Sequence, residues 1–194
     1  MGIRTFIAIE IPENIRDSIN VALSPLKKLL AGSVKWVSPD NVHLTLKFLG
    51  DTPEERLEGI ETAIARATGG FGPMQVEARG AGAFPNIRKP SVIWAGMECP
   101  PVLLDLKGLI EAELASLGFE EDTRPFSPHL TVGRVKRGAI VPRRRLAAEM
   151  EKLEGMIFGK MEIREIVLMK SDLRPGGAVY TRLYSSDLSA GHTY

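Results

Sequence analysis

The chain of 194 residues has one cysteine, three histidines, no long apolar run and almost no net charge. Each shortage removes a class of protein. A lone Cys99 rules out an intrachain disulfide and a thiolate metal cluster. Set in Met-Glu-Cys-Pro-Pro with no basic neighbour, it reads as a neutral thiol rather than a nucleophile. The first apolar run, in MGIRTFIAIEIPENI, is cut by Glu10 and Pro12, which suits a strand and neither a signal peptide nor a membrane span. A cytoplasmic protein is expected. Lys and Arg number 25 against 24 Asp and Glu, a formal charge of +1, so no global field draws in a polyanion. Any nucleic-acid contact must come from a local patch.

What is present is ordinary globular material: 44% hydrophobic and 25% charged residues, in a length that suits one domain or two small lobes. Strand patterns cover Arg4–Glu10, Val34–Val37, Val42–Leu49 and Met74–Phe84. Between them a helix is predicted from Pro12 to about Leu30, with Ile15, Ile19, Leu23 and Leu26 at helical spacing. A second, capped by Asp51-Thr52-Pro53, ends at Gly69-Gly70. The order then recurs: a strand at Ser91–Met97, a helix from Pro100 or Pro101 to about Leu117, a strand at His129–Val135 and a helix from Pro142 to about Leu153. One long strand at Met156–Lys170 and a last at Val179–Leu188 follow.

The recurrence extends to the residues. Thr-Phe-Ile-Ala-Ile at 5–9 aligns with Ser-Val-Ile-Trp-Ala at 91–95, and His-Leu-Thr-Leu at 43–46 with His-Leu-Thr-Val at 129–132, both at an offset of 86. Phe-Gly-Pro-Met-Gln-Val at 71–76 aligns with Phe-Gly-Lys-Met-Glu-Ile at 158–163, at 87. Three blocks in register predict one bilobal domain with an internal pseudo-two-fold repeat, roughly 3–84 and 89–170, exchanging strands. The class is α+β: two mainly antiparallel sheets facing a central cleft, helices outside. Such a cleft needs no second copy, so a monomer is expected.

The histidines are where the repeat matters. In a strand of period two, Val42, Leu44, Leu46 and Phe48 point to a core while His43, Thr45 and Lys47 point away. Likewise Leu130 and Val132 turn inward, and His129 and Thr131 share the opposite face. A lone strand histidine is more often structural. Two of three histidines each followed two places later by threonine arise by chance on the order of one time in a hundred, and packing does not ask for an imidazole on the outward face. Facing pairs of imidazole and hydroxyl suit acid–base catalysis at phosphorus. With an ordinary imidazole value near 6.5, one ring takes a proton while the other gives one. The arrangement requires no metal and no cofactor. His192, in the Gly-His-Thr-Tyr tail, has no such context.

Two His-x-Thr motifs in a duplicated chain of this length resemble the 2H phosphoesterase superfamily. The flanks Arg4–Ala8, Trp36–Gly50, Gly82-Ala83-Phe84-Pro85, Trp94-Ala95-Gly96 and Phe126–Arg134 narrow the resemblance to the RNA 2′,3′-cyclic phosphodiesterases, also called 2′-5′ RNA ligases, over essentially the whole chain. The resemblance implies hydrolysis of RNA 2′,3′-cyclic phosphate ends to 2′-phosphates, and the reverse joining of such an end to a 5′-hydroxyl. It implies His43 as proton donor, His129 as proton acceptor, and Thr45 and Thr131 on the phosphate oxygens; the residues alone leave acid and base unassigned. Arg134 and Arg124, five residues either side of His129, are candidate phosphate or sugar contacts. Phe84 and Phe126 are candidates to stack on a base. Arg134, Lys136, Arg137 and Arg143–Arg145 form a basic cluster suited to an RNA backbone or to plain solvation. Two other readings stay open: a non-catalytic RNA-end-binding module, and a related phosphodiesterase of small nucleotide cyclic phosphates.

Overall fold

The computed structural model describes residues 2–189. In chain order the elements are β1 (Gly2–Glu10), α1 (Glu13–Ala22), α2 (Ser24–Leu29), β2 (Val34–Trp36), β3 (His43–Pro53), α3 (Leu57–Thr68), β4 (Met74–Phe84), β5 (Val92–Glu98), α4 (Pro101–Ser116), β6 (His129–Val135), α5 (Arg143–Leu153), β7 (Ile157–Ile163), β8 (Glu165–Arg174) and β9 (Gly177–Asp187). Among the described residues no helix is long and apolar enough to cross a membrane.

Three boundaries differ from the sequence pattern, each for a local reason. The first helix breaks at Leu23, because Pro25 lacks an N–H to continue the ladder and sits instead in the first turn of α2. Asp51-Thr52-Pro53 does not cap a helix. β3 runs through it, and the buried Thr52 hydroxyl lies 2.7 Å from that of Thr5. The single strand predicted over 156–170 is interrupted at Arg164, and its two pieces go to different places.

All the strand pairs are antiparallel, in the order β7-β4-β5-β6-β3-β1-β8-β9, with β2 added on β6. The sheet has two halves that meet at β3 and β6 through the pair Leu44–Leu130. Each half takes strands from both parts of the chain: β8 and β9 lie beside β1, and β4 lies between β5 and β7. Helices α3 and α4 cover the half built on β1 and β3, while α1, α2 and α5 cover the other. Ile7, Ile9, Leu44, Leu46, Ile93, Ala95, Leu130 and Val132 turn toward the helices into one buried core. At about 1.5–3 kcal/mol for each large side chain removed from water, this face sets the register of both halves.

Both central strands carry a bulge at the same place. The β1–β3 register slips between Ile7 and Ala8, leaving Leu46 extra, and the β5–β6 register slips between Ile93 and Trp94, leaving Val132 extra. These residues are 86 apart. A bulge adds one residue and inverts the alternation beyond it. Lys47 is therefore only 3% exposed, on the helix side, whereas Phe48 is 62% exposed, on the opposite face. The inward Phe48 and outward Lys47 of the simple period-two reading are reversed.

Candidate active site

His43 and His129 are the first residues of β3 and β6, directly before the pair that joins the two halves. Side-chain alternation puts both leucines into the core and places His43, Thr45, His129 and Thr131 on the face away from the helices. Counting antiparallel from Leu44–Leu130 sets His43 across from Thr131, and Thr45 across from His129. The two motifs thus present two imidazoles and two hydroxyls to one space. The hydroxyls of Thr5 and Thr68 are taken up in buried pairs with Thr52 and Ser186; among the described residues those of Thr45 and Thr131 make no such bond.

Each ring is oriented in the same way. Nδ1 of His43 lies 2.8 Å from the carbonyl oxygen of Asn41, and Nδ1 of His129 lies 2.7 Å from that of Ser127. A carbonyl only accepts, so each Nδ1 carries its proton and donates it. Nε2 of each ring is left free of that bond. Asn41 is itself tied to β9, its amide donating to the Ala178 carbonyl at 2.7 Å. Aromatic side chains hold the rings: His43 lies 4.7 Å from Phe6 and edge-on to Tyr180 at 5.2 Å. His129 meets Phe84 edge-on at 4.9 Å, and Phe84 leans on Trp94 at 5.3 Å. The Trp94 indole lies over Gly82, where a Cβ would come within 2.3 Å of it. Only glycine leaves that space.

The half-sites differ in charge. Burial pushes the His43 imidazole below its ordinary value; the Asn41 bond and Glu10 oppose this, while Arg134 and His129 add to it. Glu10 is the cross-strand partner of His43, and its carboxylate accepts from Arg182 Nε at 2.8 Å. Burial raises the Tyr180 phenol against the opposing charges of Arg134 and Arg4. One groove lies beside Phe84, the ring that His129 meets, and one cavity reaches His43 itself. The groove, of about 680 Å³, is lined by Gly82, Phe84, Arg88 and Trp94. The cavity, of about 390 Å³, is lined by Glu10, Arg16, Asp40, His43, Met169 and Tyr180.

The structure brings most of the sequence candidates together, though not all. His43, His129, Thr45, Thr131, Phe84 and Arg134 share this space. Phe126 does not: its ring packs against the helix-side core with the Lys107 ammonium 5.4 Å from its centre. Arg124 is exposed in the loop before β6 and makes no ion pair among the described residues. His192 lies outside the described residues. Cys99 is half-buried, and burial pushes its thiol up to about 11, which leaves it protonated. Tyr180, Phe6, Glu10 and the exposed Phe48, 5.9 Å from Phe6, belong to the site and carry no local sequence signal.

The sequence matches the LigT like Phosphoesterase family over residues 9–94 and 97–180. It is 39% identical over 183 residues to an RNA 2′,3′-cyclic phosphodiesterase of Methanothermobacter thermautotrophicus, covering 93% of this chain and 96% of that protein. It is 38% identical over 182 residues to a protein of the same description from Archaeoglobus fulgidus, covering 93% and 97%. The fold is similar to that of TT0787 of Thermus thermophilus, with a TM-score of 0.80 at 30% identity over 97% of this chain and 99% of that one. It is also similar to E. coli LigT complexed with 3′-AMP, with a TM-score of 0.77 at 26% identity over 97% and 99%.

Proposed function

The chain belongs to the family of LigT-like phosphoesterases, and from that membership and the geometry of the cleft we propose that it hydrolyses RNA 2′,3′-cyclic phosphate ends to 2′-phosphates. The observation that carries the proposal is the matched pair of imidazoles. Each donates Nδ1–H to the carbonyl two residues back, which leaves Nε2 free on the strand face that also carries Thr45 and Thr131. Two proton-transfer groups on either side of one anion are what an in-line displacement at phosphorus uses.

His129 Nε2 takes the proton of a water whose oxygen attacks phosphorus. The bond from phosphorus to O3′ breaks, and His43 Nε2 gives O3′ its proton, leaving a 2′-phosphate and a free 3′-hydroxyl. Thr45, Thr131 and Arg134 hold the non-bridging oxygens, where donors aimed at developing charge have their largest effect. In the empty cleft burial disfavours the His43 cation. The negative charge of the cyclic phosphate reverses that preference, so His43 becomes a competent acid as substrate arrives. Phe84 and Phe48 flank the cleft as stacking surfaces for bases. With a 5′-hydroxyl in place of water, the same displacement forms a 2′-5′ linkage. The whole chain acts as one cytoplasmic, monomeric domain of two lobes related by the repeat, with no metal or cofactor in the step.

An oligonucleotide with a 2′,3′-cyclic phosphate end tests the proposal. Purified protein is expected to convert it to the 2′-phosphate alone, in excess chelator as well as without it. A 3′-phosphate product, or an untouched end, overturns the reading.

A further inference from the structure

Three stretches of chain meet at one end of the sheet, and none of them contains an acid. β2 lies on β6 with Lys35 paired to Arg134. The loop after β4 reaches the same end, where the Ser91 carbonyl accepts from the Val135 amide at 2.9 Å. Lys136 donates its backbone N–H to Ser33, and the Ser33 hydroxyl donates to the Ile140 carbonyl just ahead of α5. Residues 31–39, 84–97 and 129–148 together hold nine Lys and Arg and no Asp or Glu. The rest of the chain holds 16 Lys and Arg against 24 Asp and Glu. The total of +1 therefore conceals a strongly positive end on an otherwise acidic molecule.

Nothing in the fold needs these charges. Among the described residues none of the nine forms an ion pair. Arg143, Arg144 and Arg145 are exposed in the first turn of α5, which holds no acidic residue and where cations oppose the helix dipole. A placement that works against the helix and lacks a partner among the described residues points to an anion from outside. Arg134 links this end to the cleft, since its charge acts on His43 and Tyr180.

We infer that this surface is a docking track for the sugar-phosphate backbone of an RNA whose cyclic-phosphate end lies between the imidazoles; the inference rests on the RNA reading of that cleft. Val135 is six residues along β6 from His129, about 20 Å at roughly 3.3 Å per residue. That is on the order of six stacked nucleotides at about 3.4 Å each. A mononucleotide engages the cleft and Arg134 without reaching Arg143, Arg144 and Arg145, whereas an oligonucleotide engages both. The selected substrate class is thus a polynucleotide end rather than a small cyclic nucleotide.

The test compares the full chain with the triple variant Arg143→Glu, Arg144→Glu, Arg145→Glu on a 2′,3′-cyclic mononucleotide and on a 12-nucleotide RNA with the same end. Acids in the first turn of a helix agree with its dipole, so the variant is expected to melt no lower than the parent. Mononucleotide turnover should be unchanged. On the 12-mer, kcat/KM should fall at least tenfold through KM, and the slope of log(kcat/KM) against log[salt] should flatten by about 2 for three lost single-strand phosphate contacts. Equal responses of the two substrates, or an unchanged 12-mer, overturn the track and assign the patch to another partner. If neither protein turns over either substrate, the cleft reading fails. The track is then judged by 12-mer binding, which should weaken tenfold in the variant and, if unchanged, refutes it.

Discussion

Leu44 and Leu130 are the pair that bonds β3 to β6, and each directly follows a histidine of the cleft. They are 1% and 0% exposed. The packing of two leucines therefore sets the distance between two imidazoles. Leu44→Ala or Leu130→Ala should destabilise the fold by about 2–5 kcal/mol, measured by thermal unfolding. Each should also lower kcat of the protein that remains folded. Leu103→Ala, fully buried on α4 away from the cleft, should cost comparable stability and leave kcat alone. If all three behave alike, the seam does not position the site.

The pH profile should carry the mark of a buried His43. Its folded value lies below the ordinary imidazole value near 6.5, so with His43 in the proposed role of acid the free protein loses that proton early. The alkaline limb of kcat/KM, which reports free enzyme, should fall below that value. The limb of kcat, which reports the complex, should lie higher, because bound phosphate favours the cation. Glu10→Gln removes a charge that favours imidazolium and should move the kcat/KM limb further toward acid. Both limbs belong to the coupled pair of histidines. An alkaline limb of kcat/KM at or above that of kcat would reverse the assignment of the acid.

Lys47 makes a separable prediction about stability. The bulge carries it to the helix side, where its ammonium donates to the Glu111 carboxylate at 2.5 Å and to the Glu120 carbonyl at 2.7 Å. Burial pushes Glu111 up, but the hydrogen bonds from Lys107 and Lys47 outweigh it and hold the carboxyl below its ordinary value. A carboxyl lowered in the folded state stabilises at neutral pH, and that contribution is lost as pH falls through the folded value. Lys47→Met leaves the part-buried carboxylate with Lys107 as its remaining ion pair and should cost about 1.5–3 kcal/mol at pH 7. The difference from the parent should narrow in acid, as read by denaturant unfolding at pH 7 and pH 4. An unchanged midpoint at pH 7 would place Lys47 in solvent.

The histidine pair and the leucines beside it were legible in the sequence because each rests on a local signal: period two along a strand, and a repeat at 86 residues. What failed needed a partner strand. Lys47 and Phe48 swap faces because β3 slips against β1; the matching slip of β6 against β5 is what brings Arg134, named from the sequence only by its nearness to His129, to the cleft. Tyr180 meets His43 only because β9 reaches the site through β8 and β1, a pairing that no window around residue 180 reveals. Phe126 shows the converse. Its closeness to His129 in sequence suggested the cleft, yet the chain turns its ring to Lys107 instead. The segment over 156–170 reads as one strand because both pieces alternate, and the break at Arg164 belongs to the topology.

In the proposed function His43 and His129 move protons rather than merely bind an RNA end. Single-turnover hydrolysis of a 2′,3′-cyclic-phosphate oligonucleotide by His43→Ala and His129→Ala, with affinity measured on the same substrate, tests it most directly. Each variant is expected to lose about 10²–10⁴-fold in rate while binding within a few-fold of the parent. A variant of either histidine that turns over at the parental rate, and differs only in affinity, would contradict it.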